Sequence, residues 1–463
     1  MLRTLSRPTF KLHPKNPHFA IISRTFTMAP LRSWLSIPQD SHFSLANLPF
    51  GIITSKISQT EKRPAVAIGE LVLDLQAFAH GDGFSSLPSL KDHLSVFSQP
   101  TLNAFAALGQ PVHREVRAYL QNILSDTTDH PQILKDNVSL QKTALLPKHE
   151  TKTHLPMQIG DYTDFYAGEN HAFNAGCLFR GPANALQPNY FHIPIGYHGR
   201  ASTVVVSGTP IRRPNGQLLL DPTVDPKIPT FGPSRRLDIE LELGCLLCKA
   251  NPMGEPVPIK EAEQAIFGFV LMNDWSARDI QAWEYVPLGP FNGKNFGTTI
   301  SPWVVLFDAL DHFRVEKLKN ETKLLPYLEE GRSDTVYDIR LEVDLTTPGP
   351  EGSTTTISRG SGRNLVWSFA QMIAHHSVGG CAMQPGDLLG SGTISTKDDS
   401  GLGSLLEMSA GGKKEIMLAG MDVRKFLKDG DTITIRGVCG GEPGALVGFG
   451  ECVGTIESAI IFP

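Results

Sequence analysis

The chain has little of several things, and each shortage excludes a class. Cysteines number six among 463 residues, too sparse for a disulfide scaffold. Cys245 and Cys248 form a C-x-x-C, but no second cysteine or histidine pair stands at the short distance a zinc site needs. The cysteines therefore read as buried apolar thiols of a reducing compartment. The longest apolar run, Ala265–Met272, is eight residues, where a membrane-spanning helix needs about 20. A basic excess is missing: 42 Lys+Arg face 47 Asp+Glu, net −5. That argues against nucleic acid and against an anionic membrane surface as partner. H-E-x-x-H, Walker A and G-x-S-x-G motifs do not occur. The Gly-Lys pair Gly293-Lys294 lacks P-loop spacing, and Gly448-Phe-Gly450 with Gly454 does not match G-x-G-x-x-G. These absences argue against nucleotide binding.

What the chain has in plenty is Gly (43) and Pro (34), above the average of about 7% and 5%. This favours a turn-rich, mostly β protein with some helix. Its length suits two or three domains. Residues 1–27 carry Arg3, Arg7, Lys11, Lys15 and Arg24 and no acid. They read as a disordered or presequence-like extension, which leaves a mitochondrial presequence beside an otherwise cytoplasmic reading. A domain over 28–155 is expected, with strands Ile52–Ile57 and Ala65–Leu75 and a helix Val112–Leu124, whose apolar stripe starts after Pro111. A second domain over 156–463 is expected to be mixed, mostly antiparallel β. Its strands are Ser202–Val206, Leu237–Leu247, Ala265–Met272, Val304–Phe307, Asp338–Thr346 and Thr432–Gly437. Its helices are Asn273–Tyr285 and Leu365–His375, the latter capped by Asn364. Phe313–Glu329 reads as a charged, irregular insertion.

Acidic residues then draw notice. Leu237–Gly244 alternates strictly and puts Asp238, Glu240 and Glu242 on one strand face. Spacing alone reads this as a solvated face. Asp274, however, ends a buried strand. On the expected helix after it, Asp274, Arg278, Gln281 and Tyr285 fall within about 60° of one another. A third acidic segment, Asp161–Tyr166, precedes His171 and Arg180. Together Asp164, Glu240, Glu242 and Asp274 make four hard oxygen ligands, which suit Mg²⁺ or Ca²⁺ and not Zn²⁺. His375-His376 are adjacent on a helix, share no face, and read as structural.

Seven runs in order carry a family resemblance: Asp161–Tyr166, Pro194–Ser202, Leu237–Glu242, Asn273–Gln281, Trp283–Phe291, Gly297–Trp303 and Ser391–Ser395. From about Trp34 to the C-terminus the chain resembles the fumarylacetoacetase family, hydrolases of the last step of tyrosine and phenylalanine breakdown. The resemblance implies an SH3-like N-terminal barrel, a C-terminal mixed β-roll, a cytoplasmic homodimer and a small diketo-acid substrate. It implies divalent metal, Ca²⁺ or Mg²⁺, at Asp164, Glu240, Glu242 and Asp274. A further cation falls at Lys294 and Thr298, where the lysine's backbone carbonyl suits a hard ion and its ammonium does not. Substrate contacts fall on Tyr166, Arg180, Tyr197, Gln281, Tyr285 and Thr393. His171 falls at the general base, Glu407 at its carboxylate partner, and Arg278, Gln281 and Lys294 at donors to the developing oxyanion. After Ser395 the loop reads Thr-Lys-Asp-Asp where animal members have Gly-Pro, which leaves the geometry before Glu407 open.

The E-x-E and later Asp alone fit a wider superfamily that includes acylpyruvate hydrolases, decarboxylases and isomerases. Arg180 and Tyr285, as readers of a distal carboxylate, separate the first reading from these. A non-catalytic relative would most simply have lost His171 or Glu407, and both are present.

Overall fold

The computed structural model describes residues 31–462 apart from 57 and 350. The extension over 1–27 and the end of the expected strand at Ile57 lie outside these residues. Five strands form an antiparallel sheet near the N-terminus: β1 (Phe50–Ser55), β2 (Arg63–Ile68), β3 (Leu71–Asp74), β4 (Leu145–Pro147) and β5 (Thr151–His154), in the order β4-β3-β2-β1-β5. The single strand expected over Ala65–Leu75 is thus two, turned at Gly69-Glu70. Helix α1 (Gln110–Leu124) closes this sheet's core with Val116, Leu120, Ile123 and Leu124, all fully buried. That is the stripe read from the sequence.

The rest of the chain builds two larger sheets. The first uses β6 (Tyr162–Phe165), β7 (Gly196–His198) and β8 (Val204–Val206). A short strand, β9 (Ile211–Arg212), belongs to the second. Then follow β10 (Leu237–Asp238), β11 (Leu241–Leu247), β12 (Ile266–Asp274), β13 (Ser276–Ala277) and β14 (Thr298–Ile300). With β15 (Arg340–Thr346), β16 (Thr354–Ser361), β17 (Leu388–Gly390), β18 (Thr432–Cys439) and β19 (Val447–Glu457), the sheets complete. An eight-stranded mixed sheet runs β7-β6-β17-β11-β12-β14-β8, with Val305–Leu306 also on β12. β6–β17 and β14–β8 are its parallel pairs. A five-stranded sheet runs β16-β15-β18-β19-β9. The mostly β expectation with some helix is met, as an N-terminal β unit and a curled C-terminal one.

The apolar run of β12 is explained by burial on both faces. Phe269 and Leu271 join the C-terminal core, while Phe267, Val270 and Met272 join the core under the N-terminal sheet. Each such side chain is worth about 1.5–3 kcal/mol on burial. This strand is the rigid bar from which Asp274 projects. Among the described residues no helix is long and apolar enough to cross a membrane.

Three further sequence expectations are corrected. The helix expected over Asn273–Tyr285 starts only at Arg278, as α3 (Arg278–Glu284). The ladder with β11 and β14 holds Asn273 and Asp274 in strand, through Leu241↔Asn273 and Asp274↔Thr298, and pairing outweighs local helical pattern. The helix expected over Leu365–His375 is α4 (Phe369–Ser377), preceded in the chain by α2 (Glu169–Arg180). Its cap is Ser368, not Asn364, and Ser368 and Gln371 form a reciprocal capping box. Finally, the alternating acids do not form a solvated face: Asp238, Glu240 and Glu242 are at most 5% exposed.

Candidate active site

Four strand-borne carboxylates meet. Asp164 lies on β6, Glu242 on β11 and Asp274 at the end of β12, while Glu240 sits in the break between β10 and β11. One oxygen from each lies within 4.8 Å of the others, and all four residues are buried. Gly390 makes the room: a Cβ there would stand 2.5 Å from Asp164 Oδ1 and 3.1 Å from Glu242 Oε2. Gly392, at φ +74°, sits where a Cβ would stand 2.3 Å from Phe165 O, and it donates its N–H to Glu242 Oε2 at 3.1 Å.

The electrostatics of this cluster are uneven. Burial pushes the Asp164 and Glu242 carboxyls well above their usual range, and the neighbouring carboxylates push the same way. For Glu240, burial also pushes upward, but Lys294, Arg278 and His171 outweigh it and hold it low. Lys294 gives its ammonium to Glu240 and, at 2.6 Å, to Asp274 Oδ2. Thr298 Oγ1 donates to Asp274 Oδ1 at 2.7 Å, and Tyr197 OH to Oδ2 at 2.8 Å. Two oxygens, Asp164 Oδ1 and Glu242 Oε1, are buried with no hydrogen-bond partner among the described residues. An unpaired buried carboxylate oxygen is costly. Mutually repelling acids, two unclaimed oxygens and a gap kept open by Gly390 fit a hard divalent cation.

Beside the cluster stands an imidazole–carboxylate pair. His171, on the first turn of α2, donates Nδ1–H to Glu407 Oε2 at 2.6 Å. Its Nε2 faces Glu240 Oε1 at 3.9 Å. Glu407 lies on α5 (Leu405–Met408), a single turn capped by Ser404. Ser395 and Ser404 hydroxyls also donate to Oε2, at 2.9 and 2.8 Å, and Asn174 Nδ2 donates to Oε1 at 2.9 Å. Burial pushes the Glu407 carboxyl up, but His171 and these donors hold it below the usual range. Sequence reading missed Asn174, Ser395 and Ser404. Asn174 stands at i+3 from His171, one helical turn away, which is the signal that would have found it.

A cavity of about 440 Å³ joins the cluster to the dyad. Every sequence-predicted substrate residue reaches it: Tyr166, Arg180, Tyr197, Gln281, Tyr285 and Thr393. Arg278 and Lys294 line it as well, while Asp274 and Thr298 stand behind Lys294 on an adjoining cavity. Arg278 places Nε on Asp238 and Nη1 on Glu240, at 2.9 and 2.8 Å, and leaves Nη2 without a partner. Arg180 spends Nε and Nη2 on Asn184 O and Ala185 O, which fixes its fork at the cavity's rim. Asp238, part of the alternating set, does not join the cluster. His376 donates to or accepts from Thr163 Oγ1 at 2.8 Å and His375 pairs with Tyr327 OH at 3.0 Å.

The profile of the fumarylacetoacetase N-terminal domain matches residues 46–156, and that of the fumarylacetoacetate (FAA) hydrolase C-terminal domain matches 162–457. The chain belongs to the fumarylacetoacetate hydrolase family. Within this family it is 62% identical to the fumarylacetoacetase fahA of Aspergillus fumigatus over 433 residues, 93% of this chain and 99% of that one. It is 47% identical to the fumarylacetoacetase of Homo sapiens over 429 residues, again 93% and 99%. Among solved structures, a fumarylacetoacetate hydrolase from Exiguobacterium antarcticum aligns at 14% identity and TM-score 0.48, covering 89% of this chain and 99% of that one. The two family matches meet between β5 and β6, and the carboxylates and the dyad all fall in the second.

Proposed function

We propose that this chain hydrolyses the carbon–carbon bond of 4-fumarylacetoacetate to fumarate and acetoacetate, the last step of tyrosine and phenylalanine catabolism. The observation that carries the reading is the convergence of a His–Glu dyad and a four-carboxylate cluster on one cavity. High identity to relatives named fumarylacetoacetase, over nearly their whole length, supports it.

Asp164, Glu240, Glu242 and Asp274 would hold a divalent cation, Ca²⁺ or Mg²⁺. Lys294, through its backbone carbonyl, and Thr298 would hold a further cation. An ion on the four carboxylates would supply Lewis acidity to a 1,3-diketone. His171, with its Nδ1 proton committed to Glu407, keeps Nε2 free to take a proton from water. Glu407 orients the ring and stabilises the imidazolium, the logic of a catalytic triad without a protein nucleophile. Water adds to the fumaryl carbonyl and gives a tetrahedral alkoxide. Arg278 through its unpaired Nη2, Gln281 and Lys294 donate to the developing oxyanion. Removal of one such donor typically costs roughly 10²–10³ in rate. The carbon–carbon bond then breaks, its electron pair leaves as the enolate of acetoacetate, and the imidazolium returns the proton. Tyr166, Arg180, Tyr197, Tyr285 and Thr393 hold the substrate's length and charged ends. A homodimer in the cytoplasm completes the reading.

The test strips the protein with chelator, resupplies Mg²⁺ or Ca²⁺, and follows the ultraviolet absorbance of fumarylacetoacetate. Metal-dependent loss that His171→Ala abolishes is the expected result. Turnover that persists without metal, or in His171→Ala, would refute the assignment.

A further inference from the structure

One buried carboxylate next to the site has no part in the cluster or the dyad. Asp238 is 0% exposed and stands at the end of β10, where Asp238↔Ser276 pairing stops and the chain turns toward Glu240. Its Oδ1 accepts the backbone N–H of Ile239 at 2.8 Å and of Leu405 at 2.7 Å. Its Oδ2 accepts the N–H of Leu406 at 2.9 Å and Arg278 Nε at 2.9 Å. Four donors fill a carboxylate's acceptor capacity. The donors come from two parts of the site. Leu405 and Leu406 open the single turn α5 that carries Glu407, and Arg278, a cavity-lining residue whose buried Nη2 has no partner, opens α3.

We infer that Asp238 is a positioning residue that ties Arg278 and the Glu407-bearing turn to one point. The donor side and the base side of the cavity then keep a fixed relation to each other. α5 is a single turn with few hydrogen bonds of its own, so an outside anchor decides where Glu407 sits. Asp238 does not line the cavity, and acts only through these two partners. The inference rests on the roles proposed above for Arg278, His171 and Glu407. A misplacement of about 1 Å at a reacting group can cost about 10²-fold in rate.

The test is Asp238→Asn in the metal-loaded full chain. An amide of the same shape keeps one acceptor oxygen and gains an NH₂, so two of the four donors face another donor whichever way it turns. Two changes are expected: kcat falls about 10²-fold with KM within about threefold, and the downfield Nδ1–H proton resonance of His171 shifts in ¹⁵N-histidine-labelled protein. Asp431→Asn is the control. Asp431 is equally buried and takes Arg424 Nε and Nη2 at 2.8 and 2.9 Å, away from the cavity. That variant should lose stability and leave both readouts unchanged. A folded Asp238→Asn with native kcat and native His171 resonance overturns the inference, as does an equal loss in Asp431→Asn. Should Asp238→Asn not accumulate folded, Arg278→Gln tests the tie from the other end. Hydrogen exchange at the Leu405 and Leu406 amides is then expected to quicken at least tenfold while β11 is unchanged, and unchanged exchange overturns the inference. If the wild type does not cleave fumarylacetoacetate, the proposed reaction fails, while the resonance and the exchange still decide for or against Asp238.

Discussion

Replacing Glu407 by glutamine removes one charge from the dyad and almost no volume. Glu407 accepts from His171 at 2.6 Å, from Ser395 and Ser404 on the same oxygen, and from Asn174 on the other. A glutamine oxygen placed on the His171 side keeps three of these bonds. Its amide meets Asn174, whose own side chain can turn to accept. The change therefore falls on the imidazolium formed when His171 takes a proton. A charge pair about 4 Å apart at an effective dielectric near 20 is worth about 4 kcal/mol. At 1.36 kcal/mol per tenfold, kcat should fall about 10³-fold. KM should hardly move, because Glu407 stands behind His171 and Leu406 and does not line the cavity. The assay is the initial rate of fumarylacetoacetate absorbance loss in metal-loaded protein, with thermal melting beside it. A Glu407→Gln enzyme within tenfold of wild-type kcat, or one whose loss lies wholly in KM, would refute the dyad.

Three further outcomes are expected. Gly390→Ala places a methyl against Asp164 Oδ1 and Met272, so calorimetry should find Mg²⁺ and Ca²⁺ affinity reduced at least about tenfold; native affinity would contradict the cradle. His113 is buried, gives Nε2–H to Phe105 O and Ala106 O, and has Nδ1 unpartnered. Burial lowers it from 6.5 to about 4. The unfolded chain thus takes up a proton near pH 6.5 that the folded chain refuses until about 4. Stability is complete above that window and declines as pH falls through it, by roughly 3 kcal/mol in all. Urea unfolding at pH 7 and 4.5 should show that loss in wild type, and His113→Gln should lack it. Sedimentation should give twice the 50.5 kDa of the chain, and a monomer at micromolar concentration would count against the dimer.

Much of the site was legible because its chemistry is spelled in residue types that strand ends expose to reading. Asp274 follows an apolar run, and four acids separated along the chain share one ligand class; both point to a cation without knowledge of contacts. The helical stripe of Asp274, Arg278, Gln281 and Tyr285 is not a stripe of one helix, since Asp274 ends a strand, yet Arg278, Gln281 and Tyr285 line one cavity and Asp274 the adjoining one. The end of β12 is held by its β11 and β14 neighbours, Leu241 opposite Asn273 and Thr298 opposite Asp274, 32 and 24 residues away in the chain, and no local pattern carries that information. The same holds for Asp238. Its alternation with Glu240 and Glu242 suggested one face, but the break at Ile239 sends it to Arg278 and α5 instead. Glu407, a lone acid in Gly403–Ser409, had no signal outside the family resemblance. Its meaning comes from His171, 236 residues earlier. The Ser368 cap is different: Ser368-x-x-Gln371 is a local signal in the sequence, and a helix start set at Leu365 passes over it.

Water addition to the fumaryl carbonyl with His171 as base fixes which two products form, and proton NMR of the products from metal-loaded wild type reads them. Fumarate and acetoacetate in equal amounts, and neither from His171→Ala, is the predicted result. Malonate among the products, or cleavage of an acylpyruvate with fumarylacetoacetate left intact, would contradict it.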